Sequence, residues 1–191
     1  MLLFIFALAG IVIGFAMNRL QGRKNQLQNI SDIRGLWLPI AGVLLHLPFS
    51  YFPAFALQFA WLLTTLSSLC IVVFLILNRG RLLPVLFIAA GTVCNYSVIA
   101  LNHFRMPVSP AALAMYPGMT PEAVYAKKVN YFVATSGAKL YFLGDVIPVP
   151  LKRVGGFFSI GDVLLGIGIM IFIISVLIKK YPDTPEPLSQ S

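Results

Sequence analysis

Two aspartates stand out in a chain that holds six carboxylates in all. Asp145 lies in Tyr141-Phe142-Leu143-Gly144-Asp145-Val146-Ile147-Pro148, and Asp162 in Ser159-Ile160-Gly161-Asp162-Val163. Each follows a glycine and precedes a valine. Two carboxylates held close in a low-dielectric site cannot both ionise easily. They share a proton, so one acts as base while the other acts as acid. If the two meet, the chemistry is hydrolysis by an aspartate dyad. The structural alternative for Asp162 is an interfacial cap, because an aspartate near a helix N-terminus is favoured by the helix dipole.

A second set is amide and basic. Gly91, Asn95, Val98 and Asn102 are spaced by four, three and four residues, so they share one helical face. Asn95 lies about 10 Å deeper than Asn102. Polar groups at membrane depth are functional candidates, though an amide there also serves by bonding a neighbouring helix. Arg105 follows closely and suits a bidentate, charge-assisted pair with a carboxylate. His46 and His103 are candidate haem ligands on different segments; the plainer role is an interfacial hydrogen bond. Cys70 and Cys94 lie inside apolar runs without a C-x-x-C pair, which supports packing rather than zinc or redox chemistry. No metal or cofactor is expected.

These residues must be positioned by a membrane fold. Of 191 residues, 59% are hydrophobic and 10% charged, and the mean hydropathy is +0.88. A soluble domain averages about 25% charged residues, and one of this size needs far more polar surface. A soluble globular enzyme, a disordered chain and a disulfide scaffold are excluded. The net charge of +8 belongs to basic flanks of membrane spans, since no nucleic-acid motif occurs.

The expected fold class is all-α integral membrane, with about five spans at 2–17, 36–50, 54–77, 82–101 and 157–178 in one membrane domain, 1–178. The first run carries its positive charges after it, at Arg19, Arg23 and Lys24, so it is read as a retained span rather than a cleaved signal. Between Arg34 and Arg79 lie 44 residues without a full charge, enough for two spans. Pro48-Phe49-Ser50-Tyr51-Phe52-Pro53 suits the hairpin between them. Thr64-Thr65-Leu66-Ser67-Ser68 and Gly166-x-Gly168 read as packing surfaces.

The connection 102–158 is too long to be structureless. Ser109-Pro110 and Thr120-Pro121-Glu122 mark two helix starts within it. Residues 179–191 read as a disordered tail. With five spans, the basic residues at 19, 23, 24, 34, 79, 81, 179 and 180 fall on one side. Short basic loops face the cytoplasm, so the N-terminus and the long loop are expected outside and the C-terminus inside. The loop is itself basic and could meet anionic lipid head groups. Lack of an internal repeat argues against an inverted-repeat transporter.

Four stretches resemble a family of small bacterial multi-pass membrane proteins catalogued as a domain of unknown function. They are Gly91-Thr92-Val93-Cys94-Asn95, Asn102-His103-Phe104-Arg105-Met106-Pro107-Val108, Leu143-Gly144-Asp145-Val146-Ile147-Pro148, and Ser159-Ile160-Gly161-Asp162-Val163 with Gly166. The likeness covers the C-terminal half, and the rest matches mainly in hydropathy. It implies a bacterial plasma-membrane location and no activity. Separately, Phe157-Phe158-Ser159-Ile160-Gly161-Asp162 resembles the last-span aspartate motif of the bacterial lipoprotein signal peptidase, Phe-Asn-x-Ala-Asp. Ser159 and Gly161 replace its Asn and Ala, its Asn-x-x-Asp-Arg element is missing, and five spans replace four. That likeness implies Asp145 and Asp162 as a catalytic pair.

The leading expectation is a non-catalytic binding or accessory protein with a polar pocket of His46, Asn95, Asn102 and Arg105 near the outer leaflet. Its partners are the bilayer and another membrane protein or anionic lipid, not nucleic acid. The alternatives are the aspartate-dyad hydrolase and a haem or quinone electron carrier.

Overall fold

The computed structural model describes residues 2–22, 27–116, 120–127, 129–149 and 156–178. The basic residues Arg23, Lys24, Lys179 and Lys180 and the tail 179–191 lie outside the described residues.

Helix α1 (Leu2–Leu20) leads through a 3₁₀ turn, Leu27–Asp32, to α2 (Trp37–Leu44). Short α3 (Pro48–Tyr51) and α4 (Pro53–Gln58) follow, then α5 (Ala60–Leu77) and α6 (Leu82–Leu101). Four helices are long and apolar enough to cross a membrane: α1, α5, α6 and the last helix, α9 (Ile160–Leu177). The stretch Trp37–Tyr51 is apolar but shorter. It reaches only about 22 Å, against about 30 Å of hydrocarbon. The reason is local. Proline in a helix clashes with the carbonyl four residues back, and four residues before Pro48 is Leu44, where α2 ends.

Helix α9 packs between α1 and α6, while α5 joins α6 to α2. Small residues allow the close approach. A Cβ on Gly91 would stand 2.6 Å from the Gly161 carbonyl oxygen, and one on Gly10 would stand 2.9 Å from that of Met170. Polar side chains lock the helix ends. Asn18 is 1% exposed and donates from Nδ2 to the Leu177 carbonyl at 2.9 Å. Arg81 Nη1 donates to Ser175 Oγ at 3.2 Å. Together with the Arg34–Asn78 bonds described below, these contacts bring Arg19, Arg34, Arg79 and Arg81 to one end of the bundle.

At the other end the long connection folds into a cap. It contains β1 (Met106–Val108), α7 (Pro110–Ala114), α8 (Pro121–Lys127), β2 (Tyr131–Val133), β3 (Ile147–Val149) and β4 (Gly156–Phe158). Strands β1 and β2 pair parallel, and β3 and β4 antiparallel. Val108, Leu113 and Val124 form a small core of its own. Both expected helix starts are realised: Ser109 Oγ accepts the Ala112 N–H and Thr120 Oγ1 the Ala123 N–H, each at 3.3 Å. The strands are additional to the expected helices. Tyr131-Phe132-Val133 has the composition that favours strand, but the other three strands contain Pro or Gly, and three residues are too few to show a period. Pairing of Phe157 and Phe158 with Pro148 and Ile147 also delays the last helix to Ile160, three residues beyond its expected start.

Candidate functional site

The polar face of α6 meets the N-terminus of α9 beneath the cap. Ser159 is the N-cap of α9. Its Oγ accepts the Asp162 N–H at 2.9 Å, and Asp162 Oδ2 accepts the Ser159 N–H at 3.2 Å. This reciprocal capping box satisfies two amides that a helix start otherwise leaves open. Asn95 reads both members of the box. Its Nδ2 donates to Asp162 Oδ1 at 2.8 Å, and its Oδ1 accepts from Ser159 Oγ at 2.8 Å. Gly161 makes this possible, because a Cβ there would collide with the Asn95 amide. Both oxygens of Asp162 therefore accept from fixed N–H groups.

Asn102, one helical turn past Val98 on the same face, clamps the cap. Its Nδ2 donates to the carbonyls of Val98 (2.7 Å) and Lys139 (2.8 Å), and its Oδ1 accepts the Lys139 N–H at 2.9 Å. The flanking backbone is strained: His103, Phe104 and Leu140 have φ of 55°, 58° and 48°, a region non-glycine residues rarely occupy.

Asp145 is 1% exposed. Its N–H donates to the Pro107 carbonyl (2.9 Å), and its carbonyl accepts the Ser109 N–H (3.1 Å), which sews it to the edge of β1. Ser109 Oγ also receives Tyr141 Oη at 2.6 Å. Arg105 donates from Nη2 to the Tyr131 carbonyl at 2.9 Å, and its guanidinium lies 5.7 Å from the Tyr125 ring centroid. Among the described residues, the contacts of the Arg105 guanidinium are this backbone carbonyl and aromatic face rather than the expected carboxylate. Its Nε is buried without a hydrogen bond among the described residues.

Tyr131 connects the two aspartates electrostatically. Its phenol lies deep, and burial pushes its pKa well above the ordinary tyrosine range. The charges of Asp145 and then Asp162 push it the same way.

The histidines stand apart. His46 Nε2 is 3.2 Å from Ser67 Oγ, which donates to the Gly42 carbonyl at 2.9 Å, and its ring stacks on Phe49. His103 is exposed at the end of α6. Among the described residues no group of three or more His, Cys, Asp or Glu could hold a metal ion.

Asn95, Asn102, Arg105, Asp145 and Asp162 thus gather at the cap end, and His46 is bound into the α2–α5 pair. Sequence reasoning missed the site roles of Ser159, Tyr141 and Tyr131, while Ser109 was read there as a helix start. Ser159 was legible, because Ser-x-x-Asp before an apolar run is a capping-box signature. The others carry no local signal; their roles arise from contacts across the cap.

A family model described as a family of unknown function, DUF5317, matches residues 30–174. No curated protein and no solved structure matches the chain.

Proposed function

The chain belongs to the DUF5317 family, whose function is unknown, and from that premise we propose a non-catalytic binding or accessory role in the bacterial plasma membrane. The reading places the N-terminus and the cap outside and the C-terminus in the cytoplasm. Its support is the gathering of Arg19, Arg34, Arg79 and Arg81 at one end of the bundle, since short basic loops stay cytoplasmic. Helix α2 and the short helices after it form a hairpin with α5, which supports this side assignment although Trp37–Tyr51 is short for a span. The five-span topology is part of the proposal.

One observation carries the non-catalytic role: Asn95, Asn102, Ser159 and Asp162 at the cap end are spent on one another and on the backbone. Asn95, Ser159 and Asp162 bond one another, and Asn102 bonds Val98 and Lys139. Such an arrangement holds a rigid platform on the bundle. The platform presents its surface to another membrane protein or to anionic head groups.

The aspartate-dyad hydrolase is the second reading, supported by the placement of Asp145, buried in the cap, and Asp162, in the first turn of α9, at the same end of the bundle. Asp145→Asn separates the two. Under the platform role it lowers thermal stability and opens the cap to limited proteolysis. An unchanged melting curve and proteolysis pattern would overturn that role. Loss of a hydrolytic activity in a fully folded Asp145→Asn and Asp162→Asn pair would install the dyad.

A further inference from the structure

At the end of the bundle away from the cap, three of the four guanidinium groups among the described residues line one cavity. Asn78 is buried, and its Nδ2 donates to the carbonyls of Arg34 and Phe74, both at 2.8 Å, while its Oδ1 accepts the Arg34 N–H at 3.2 Å. This staple fixes Arg34 beside the turn Asn78-Arg79-Gly80-Arg81. Arg81 is set in turn by Ser175 Oγ and by the Phe172 ring, whose centroid lies 5.4 Å from its guanidinium carbon. An open cavity of about 560 Å³ results, with Asp32, Arg34, Asn78, Arg79 and Arg81 in its lining. Among the described residues of its lining, three guanidinium groups against the one carboxylate of Asp32 make it cationic.

Arg79 also closes one end of an apolar hollow of about 340 Å³ between α5 and α6, with Val72, Ile76, Val85, Ala89 and Val93 in its walls. Thr92 does not make it polar, because its hydroxyl donates to the Ile88 carbonyl at 2.8 Å. Val72, Ile76 and Val93 are exposed. From Arg79 back to Val72 the hollow runs about 10 Å along α5.

We propose that the cavity and the hollow together bind one anionic phospholipid. Its phosphate sits among Arg34, Arg79 and Arg81, an acyl chain lies in the α5–α6 hollow, and Arg79 marks the junction. Guanidinium groups bind phosphate oxygens in a bidentate, charge-assisted way. A zwitterionic head group brings its own cation into a site that is already positive. Basic pockets at the ends of membrane helices suit anionic head groups. The continuity through Arg79 selects a lipid over a free anion, which would leave the hollow unused. An apolar partner helix would meet uncompensated guanidinium groups.

Native mass spectrometry of the full-length protein in detergent tests this, with dioleoyl phosphatidylglycerol, dioleoyl phosphatidylcholine and inorganic phosphate as separate probes. The expected result is one retained phosphatidylglycerol at a concentration where phosphatidylcholine leaves the protein bare. Arg79→Gln weakens it about fivefold, while Arg19→Gln, the same charge lost elsewhere at this end, changes nothing. Ala89→Phe fills the hollow and weakens the lipid but not phosphate. Equal binding of the two lipids overturns the site. So does an Arg19→Gln effect as large as that of Arg79→Gln. Displacement of the lipid by phosphate with Ala89→Phe silent reduces it to an anion site and also overturns the proposal. Arg34→Gln is read identically should Arg79→Gln melt below wild type.

Discussion

Asn102 and Lys139, 37 residues apart, are joined by two antiparallel hydrogen bonds between the asparagine amide and the lysine backbone. The side chain thereby imitates a strand partner and fastens the cap to α6. It also holds in place the left-handed residues His103, Phe104 and Leu140 on either side of the clamp.

Replacing Asn102 by alanine removes both bonds and strands the Lys139 N–H and carbonyl. At about 1 kcal/mol per bond, with a further cost for groups left unpaired, the expected loss is about 2–4 kcal/mol in unfolding measurements. Hydrogen exchange should rise locally at residues 139–144. Unchanged exchange there would show that the clamp does not hold the cap.

Gly161 and Gly137 form a matched pair. A Cβ on Gly161 collides with Asn95, whereas one on Gly137 meets nothing within 4 Å. Gly161→Ala is expected to cost about 2 kcal/mol or more through overpacking, and Gly137→Ala close to nothing. Comparable melting temperatures for the two variants would contradict the α6–α9 contact.

Removing Asn95 breaks a network rather than one bond. Asn95→Leu leaves Ser159 Oγ without its acceptor and Asp162 Oδ1 without its donor, and is expected to cost about 2–4 kcal/mol. Asp162→Asn in the Asn95→Leu background should cost less than in wild type, because the partner is already gone. Strict additivity in that double-mutant cycle would deny the coupling.

Tyr131 gives the chain an alkaline limit. Its folded pKa is raised, so above the ordinary value of about 10 the unfolded chain loses a proton that the folded protein keeps. The folded state then binds more protons, and stability falls as pH rises past that value. The stabilisation is complete below pH 10. Tyr131→Phe should flatten this part of the stability–pH curve relative to wild type. A parallel fall in the variant would assign the effect to other tyrosines.

Legibility differed between the two levels. The apolar runs that became α1, α5, α6 and α9 were plain in composition, because a hydrocarbon environment demands long uncharged helices. Asn95, Asn102, Arg105, Asp145 and Asp162 were visible for the same reason: polar groups are scarce in such a sequence and costly where they occur. Pro48 marked the interruption after α2, since its missing N–H acts on its own helix. Partnership was a different matter. The pairing of Asn95 with the Ser159–Asp162 box depends on α6 and α9 lying within glycine contact, and the reach of both aspartates to Tyr131 depends on how the cap folds back. Local sequence fixes which residues must find a partner. Only the packed tertiary structure decides which partner it is, because hydrogen bonds need atoms within about 3 Å, and chain spacing does not set that distance between segments so far apart.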